Sequence, residues 1–93
     1  MFFNFAKFPV QEGKLEEARA ALTELSAPSY IDPGCYAYQV AGSINGESAL
    51  YTLEIWATLE DLDTHMKTPH IAEFEKKAAG FLAGPPEVTT VCM

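Results

Sequence analysis

Two segments separated by a turn, "CYAYQVAGS" and "SALYTLEIWA", most constrain what this chain can become. Each alternates along its length as a strand does, and "NGE" at 45–47 between them is a hairpin signal. Tyr36, Tyr38 and Val40 share one side of the first strand; Tyr51, Leu53 and Ile55 share one side of the second. The opposite sides carry Cys35, Ala37, Gln39 and Ala41, then Leu50, Thr52, Glu54 and Trp56. Neither side is a row of charges suited to face water, so a sheet built on this hairpin needs cover on both faces.

The rest of the chain has helices for only one of those faces. "MFFNFAKF" at 1–8 reads as a first strand. In "VQEGKLEEARAALTELSAP", Leu15, Ala18, Leu22 and Leu25 recur at helical spacing, opposite Glu16, Glu17, Arg19 and Glu24. Pro28 falls just past the expected end of that helix. "DPG" at 32–34 is a turn. After the hairpin, Thr58 caps a short helix with Asp61 in the capping-box position, and Thr68-Pro69 opens another. Ile71, Phe74, Ala78 and Phe81 form an apolar stripe there, "AGPP" stops it, and "EVTTVCM" is a last strand.

The order is β-α-β-β-α-β, which predicts a single α+β domain over 1–93 of ferredoxin-like (βαββαβ) type. Its four-stranded antiparallel sheet has helices on one face. The bare face calls for a second copy, so the chain is expected to be a homodimer whose two sheets close a barrel with helices outside.

Composition narrows the partners. A net charge of −7 leaves no basic stripe for nucleic acid and none for an anionic membrane surface. No apolar run is long enough to span a bilayer. The first residues lack the basic start and cleavage site of a signal peptide, so a cytoplasmic location is expected, with Cys35 and Cys92 as free thiols. The two cysteines lack metal-ligand spacing. His65 and His70, separated by "MKTP", are not the i,i+4 helical pair of a zinc site, because the proline begins a new helix. Gly-rich phosphate loops, dinucleotide fingerprints, CxxC pairs and nucleophile elbows are all missing. No metal and no cofactor is expected.

The rare residues cluster in "TLEIWATLEDLDTHMKTPH" at 52–70. Glu54 and Trp56 project from one strand face, and Asn4 joins them if the first strand has matching parity. On the helix side they would line a space between the layers. His65 lies beside the stripe Leu59, Leu62 and Met66, with its ring at the edge of that space. Asp61, four residues earlier, can hold one ring nitrogen while the other meets a substrate. His70 stands at the second position of its helix, whose positive end favours a neutral imidazole able to take a proton. Taken singly, a plain core tryptophan, a paired or wetted carboxylate, a surface helix histidine with an incidental acidic neighbour, and a helix-start histidine with only a packing or capping role account at least as well for the same residues.

The order of motifs, "DPGCYAY", then "YTLEIWATLEDLDTHMKTPH", then "FLAGPPEV", resembles the antibiotic biosynthesis monooxygenase family, which includes bacterial quinol monooxygenases. The resemblance rests on Asp32, Pro33, Gly34, Cys35 and Tyr38, on Glu54 and Trp56, on His65 nine residues after the tryptophan, and on "TPH" ending at His70. It implies a dimeric α+β barrel that oxygenates phenols, quinols or polycyclic aromatics with O₂ and no cofactor. On that reading His65 is the base, Asp61 or Glu54 orients it, Trp56 is a cavity wall, Asn4 donates to a substrate oxygen, and His70 and Phe74 complete the substrate contacts. The resemblance also takes in an isomerase of a small phosphorylated dicarbonyl compound and a heme-degrading branch, and the fold alone leaves open a third reading, a non-catalytic aromatic-binding dimer. The first lacks a cationic cluster here, Arg19 being the only arginine. In the second, Asn4 stands at the wrong offset from Gly13.

Overall fold

The computed structural model describes residues 1–93 and runs β1 (Phe2–Pro9), α1 (Leu15–Tyr30), β2 (Cys35–Gly42), β3 (Ala49–Trp56), α2 (Leu59–Met66), α3 (Pro69–Ala78) and β4 (Glu87–Cys92). The strands form one antiparallel sheet in the order β2-β3-β1-β4, the ferredoxin-like α+β arrangement. Register follows from the apolar pattern, because a one-residue slip would turn Leu50 and Phe8 outward. Those two are paired across β1 and β3, and both are buried.

On the helix side, Ala18, Leu22 and Leu25 of α1 meet Ala6, Phe8 and Leu50 of the sheet. Full burial of a leucine such as Leu22 is worth about 1.5–3 kcal/mol. Phe74 of α3 fills the remaining wedge, with its ring 5.7 Å from that of Phe8 in an edge-on contact and 6.0 Å from that of Phe81. Phe81 lies beyond the end of α3, yet it is fully buried.

Three local expectations are corrected. Helix α1 continues through Pro28 to Tyr30. Proline costs a helix the bond to the carbonyl four residues back, here that of Glu24, a loss that is tolerated in this last turn. In β2 a bulge between Cys35 and Ala37 breaks the alternation, leaving Tyr36 exposed while Tyr38 lies opposite Glu54 and Val40 opposite Thr52. In α2 the inward residue is His65; Leu59 and Met66 of the supposed apolar stripe are about half exposed.

The far side of the sheet carries Phe5, Tyr51, Leu53 and Ile55, none of them buried. Toward one end of the central strands β1 and β3, Lys7 pairs with Glu47 at 2.8 Å and the Tyr51 hydroxyl donates to the same carboxylate at 2.6 Å. No helix is long and apolar enough to cross a membrane.

Candidate active site

Antiparallel register places Tyr38, Glu54, Asn4 and Thr90 in one row across all four strands, on the helix side. The first three look into the layer between sheet and helices, where a polar group must find a partner. Glu54 finds three. Its carboxylate accepts from Trp56 Nε1 at 2.9 Å, from Thr52 Oγ1 at 2.9 Å and from Asn4 Nδ2 at 3.4 Å. Asn4 in turn accepts from Thr90 Oγ1 at 2.7 Å. The carboxylate is 4% exposed and is held by these neutral donors alone, with no lysine or arginine beside it.

Above this row sits His65, 2% exposed. The indole of Trp56 lies against its imidazole with ring centres 4.6 Å apart, and Tyr38 meets the ring edge-on at 5.7 Å. Asp32 Oδ2 lies 2.8 Å from His65 Nδ1 and also 2.8 Å from His70 Nε2. A carboxylate can only accept, so both of those ring nitrogens carry protons. In neutral His65 the lone pair is therefore on Nε2.

Local chemistry explains why the cluster is held. The Asp32 amide donates to the Ser29 carbonyl at the end of α1, and the Ala57 amide donates to the Gly34 carbonyl, which pins the turn to β3. Gly34 adopts a φ of +79°, which suits glycine, and a side chain there would run into Asp61. Across the joint between α2 and α3, the Thr68 hydroxyl donates to the His65 carbonyl at 2.7 Å and accepts from the Ile71 amide at 3.4 Å. One threonine thus caps α3 and sets His65 and His70 relative to each other.

Beside His65 lies a cavity of about 160 Å³. Ala6, Phe8, Ile71 and Phe74 supply apolar wall, while Asn4, Tyr38, Glu54 and His65 supply polar groups. Met66, Glu75, Pro86 and the exposed Val88 border it as well. Burial pushes the Tyr38 phenol well above its ordinary pKa; the Glu54 charge adds to the rise and the nearby Ser29 hydroxyl opposes it. Tyr38 is therefore a neutral donor in this cavity at any ordinary pH.

His65, Glu54, Asn4 and Phe74 thus come together on one cavity. Trp56 does not line it; the indole is fully buried behind His65 and Glu54. His70 opens instead onto a separate groove of about 290 Å³ between α1 and α3, with Glu24, Glu73 and Lys77. The carboxylate on the His65 ring is Asp32, rather than Asp61 or Glu54. Asp61 is spent at the start of α2, where its amide caps on Thr58 Oγ1 and its side chain lies against Gly34. Sequence reasoning missed Asp32 and Tyr38 as site residues, although both belong to the "DPGCYAY" motif.

The family model described as antibiotic biosynthesis monooxygenase matches residues 1–77. An uncharacterised protein of Synechocystis is 32% identical over 79 residues; the match covers 85% of this chain, which spans about half (54%) of that relative's length. Among solved structures, a Nitrosomonas europaea protein provisionally described as an antibiotic biosynthesis monooxygenase superposes with a TM-score of 0.94 at 19% identity, covering 100% of this chain and 98% of the other. A Mycobacterium tuberculosis protein gives 0.91 at 24% identity, covering 99% and 93%. At these identities the superpositions speak for the fold.

Proposed function

The chain belongs to the antibiotic biosynthesis monooxygenase family, and we propose that it oxidises a single-ring phenol or hydroquinone with O₂, using His65 as the base and no bound cofactor. The observation that carries this reading is the buried His65 imidazole, tied through Nδ1 to Asp32 and bordering an apolar cavity. Asp32 holds the tautomer whose Nε2 is free to take a phenolic proton.

The substrate supplies the electrons. Once its proton passes to His65, the phenolate gives one electron to O₂, and the resulting radical pair joins as a ring-bound peroxide. Loss of the ring C–H proton and cleavage of the O–O bond leave a quinone carbonyl and one water. Phenol plus O₂ thereby becomes benzoquinone plus water, and a hydroquinone becomes a hydroxyquinone plus water. The protein excludes water, orients the ring and moves protons. Tyr38 and Asn4 are the donors placed to meet substrate oxygens.

Size supports the single-ring substrate class: cavities of about 150 Å³ take up benzene, and this one is about 160 Å³. A heme would need far more room. A phosphorylated substrate would want an arginine or lysine, whereas the ionisable lining is Glu54, Glu75, Tyr38 and His65. The bare sheet face with Phe5, Leu53 and Ile55 supports a homodimer joined through it.

Oxygen uptake with a panel of one-ring hydroquinones, with products separated by chromatography, tests the reading. Turnover should fall about 10²–10⁴-fold in His65→Ala, with an unchanged circular dichroism spectrum. Full activity in that variant would refute the assignment.

A further inference from the structure

Asp32, His65 and His70 do more than share a hydrogen bond. Asp32 Oδ2, His65 Nδ1 and His70 Nε2 all lie within 4.8 Å of one another, with the oxygen 2.8 Å from each nitrogen. They come from three separate elements: the turn before β2, helix α2 and the first turn of α3. The two histidines are no helical i,i+4 pair, yet the Thr68-Pro69 joint restarts the helix so that both rings reach one point. Two imidazoles and one carboxylate form a donor set suited to borderline divalent ions such as zinc or cobalt. The cluster is partly open to solvent. The His65 side chain is 1% exposed, whereas those of Asp32 and His70 are 13% and 21% exposed, so an ion has a way in and room for water ligands. No lysine or arginine pairs with Asp32 to compete for that position.

We propose that this cluster is an inhibitory site for a divalent transition-metal ion, bound by Asp32 Oδ2, His65 Nδ1 and His70 Nε2. The inhibition rests on the function proposed above; the binding does not. A metal ion needs the lone pair of Nδ1, so the proton that His65 carries there must leave that nitrogen. The neutral ring then carries its proton on Nε2, the nitrogen assigned to take the substrate's proton. His70 makes the matching change, from a proton on Nε2 to one on Nδ1. No electron is transferred. The ion converts the base into a hydrogen-bond donor and stops the first step, so oxidation runs only while the site is free of metal.

The probe is cobalt(II), added to ion-free protein in a Cys92→Ser background so that the exposed thiol does not compete, and followed by its visible d–d bands. One ion per chain should bind, and His70→Ala and Asp32→Ala should each weaken binding at least tenfold. Nitrogen-15 spectra of the histidine rings with zinc should show the His65 proton moving from Nδ1 to Nε2. That measurement needs only the wild-type rings, so it stands even if a variant misfolds. Zinc should abolish oxygen uptake, and a chelator should restore it. Absence of binding, binding indifferent to both substitutions, an unmoved His65 proton, or uptake that persists at saturating zinc would each overturn the proposal. Ion-free protein that never consumes oxygen would instead sink the oxygenase reading, while the binding and ring-proton results would still decide whether the site exists.

Discussion

Replacing Glu54 tests whether the polar row is held together by its acceptor. Glu54→Leu removes the only side-chain acceptor of the Trp56 N–H and the Thr52 hydroxyl, both on residues that are 0% exposed. A buried donor left without a partner costs about 1–3 kcal/mol. Asn4 Nδ2 loses its acceptor too, but it borders the cavity, where water can reach it; the Thr90 bond to Asn4 Oδ1 is untouched. Two stranded donors therefore cost about 2–6 kcal/mol, and the added apolar side chain returns roughly 1–2 kcal/mol. The expected net loss spans about 0–5 kcal/mol, and its midpoint of about 2.5 kcal/mol corresponds to a drop in Tm of roughly 10–20 °C for a domain of this size. Glu54→Gln should behave differently. Its amide oxygen keeps Trp56 and Asn4, and its NH₂ donates to the Thr52 hydroxyl, which can accept as well as donate. That variant should stay within about 1 kcal/mol of wild type. Urea and thermal unfolding followed by far-ultraviolet circular dichroism measure both. If the leucine variant matches the glutamine variant in stability, the row is not held by its acceptor and the reasoning fails.

Other consequences can be measured in parallel. Asp32→Ala strands the buried His65 Nδ1–H and should cost about 1–3 kcal/mol, while partly exposed His70 recovers with water; chemical denaturation will show whether the loss is that large. Gly34→Ala meets both a left-handed backbone and the Asp61 side chain, whereas Gly13→Ala at φ +81° meets open space, so the first should destabilise more and Asp61→Ala should relieve part of the difference. Leu53→Lys on the bare sheet face should dissociate the proposed homodimer to monomer in light scattering, and an unchanged mass would count against that interface. Burial, reinforced by the Glu54 charge, pushes the Cys35 thiol up to about 11, so iodoacetamide should label exposed Cys92 first and Cys35 only as pH nears that value. The same shift makes the folded state lose stability as pH rises from about 9 toward 11, because the unfolded chain gives up that proton earlier.

How much of this was readable beforehand depends on the range of the interaction. Strand parity is local, so Glu54 and Trp56 could be placed on one face from their spacing, and pairing β1 with β3 then brought in Asn4. Caps are local too: Thr58 and Thr68 act where their sequence context put them. Depth is not local. That Trp56 lies behind His65 rather than on the cavity depends on how α2 packs over the end of β3. The partner of His65 was misread for the same reason. Asp61 is near in sequence, whereas Asp32 is 33 residues away and arrives only through the turn that Gly34 allows. The stripe of Leu59, Leu62 and Met66 misled because periodicity rewards oily side chains, while at this joint the carboxylate of Asp32 gives a polar ring more reason to be buried.

The contact between Trp56 and His65 gives the protein an optical signal of its own. The chain's single indole lies against the buried imidazole, and a charged imidazolium quenches indole emission far more strongly than a neutral ring does. Emission intensity therefore follows the charge on His65 without any added label. On the proposed reaction, proton uptake from a bound substrate should appear as a dimming that reverses on product release, which a stopped-flow fluorimeter would time separately from oxygen consumption.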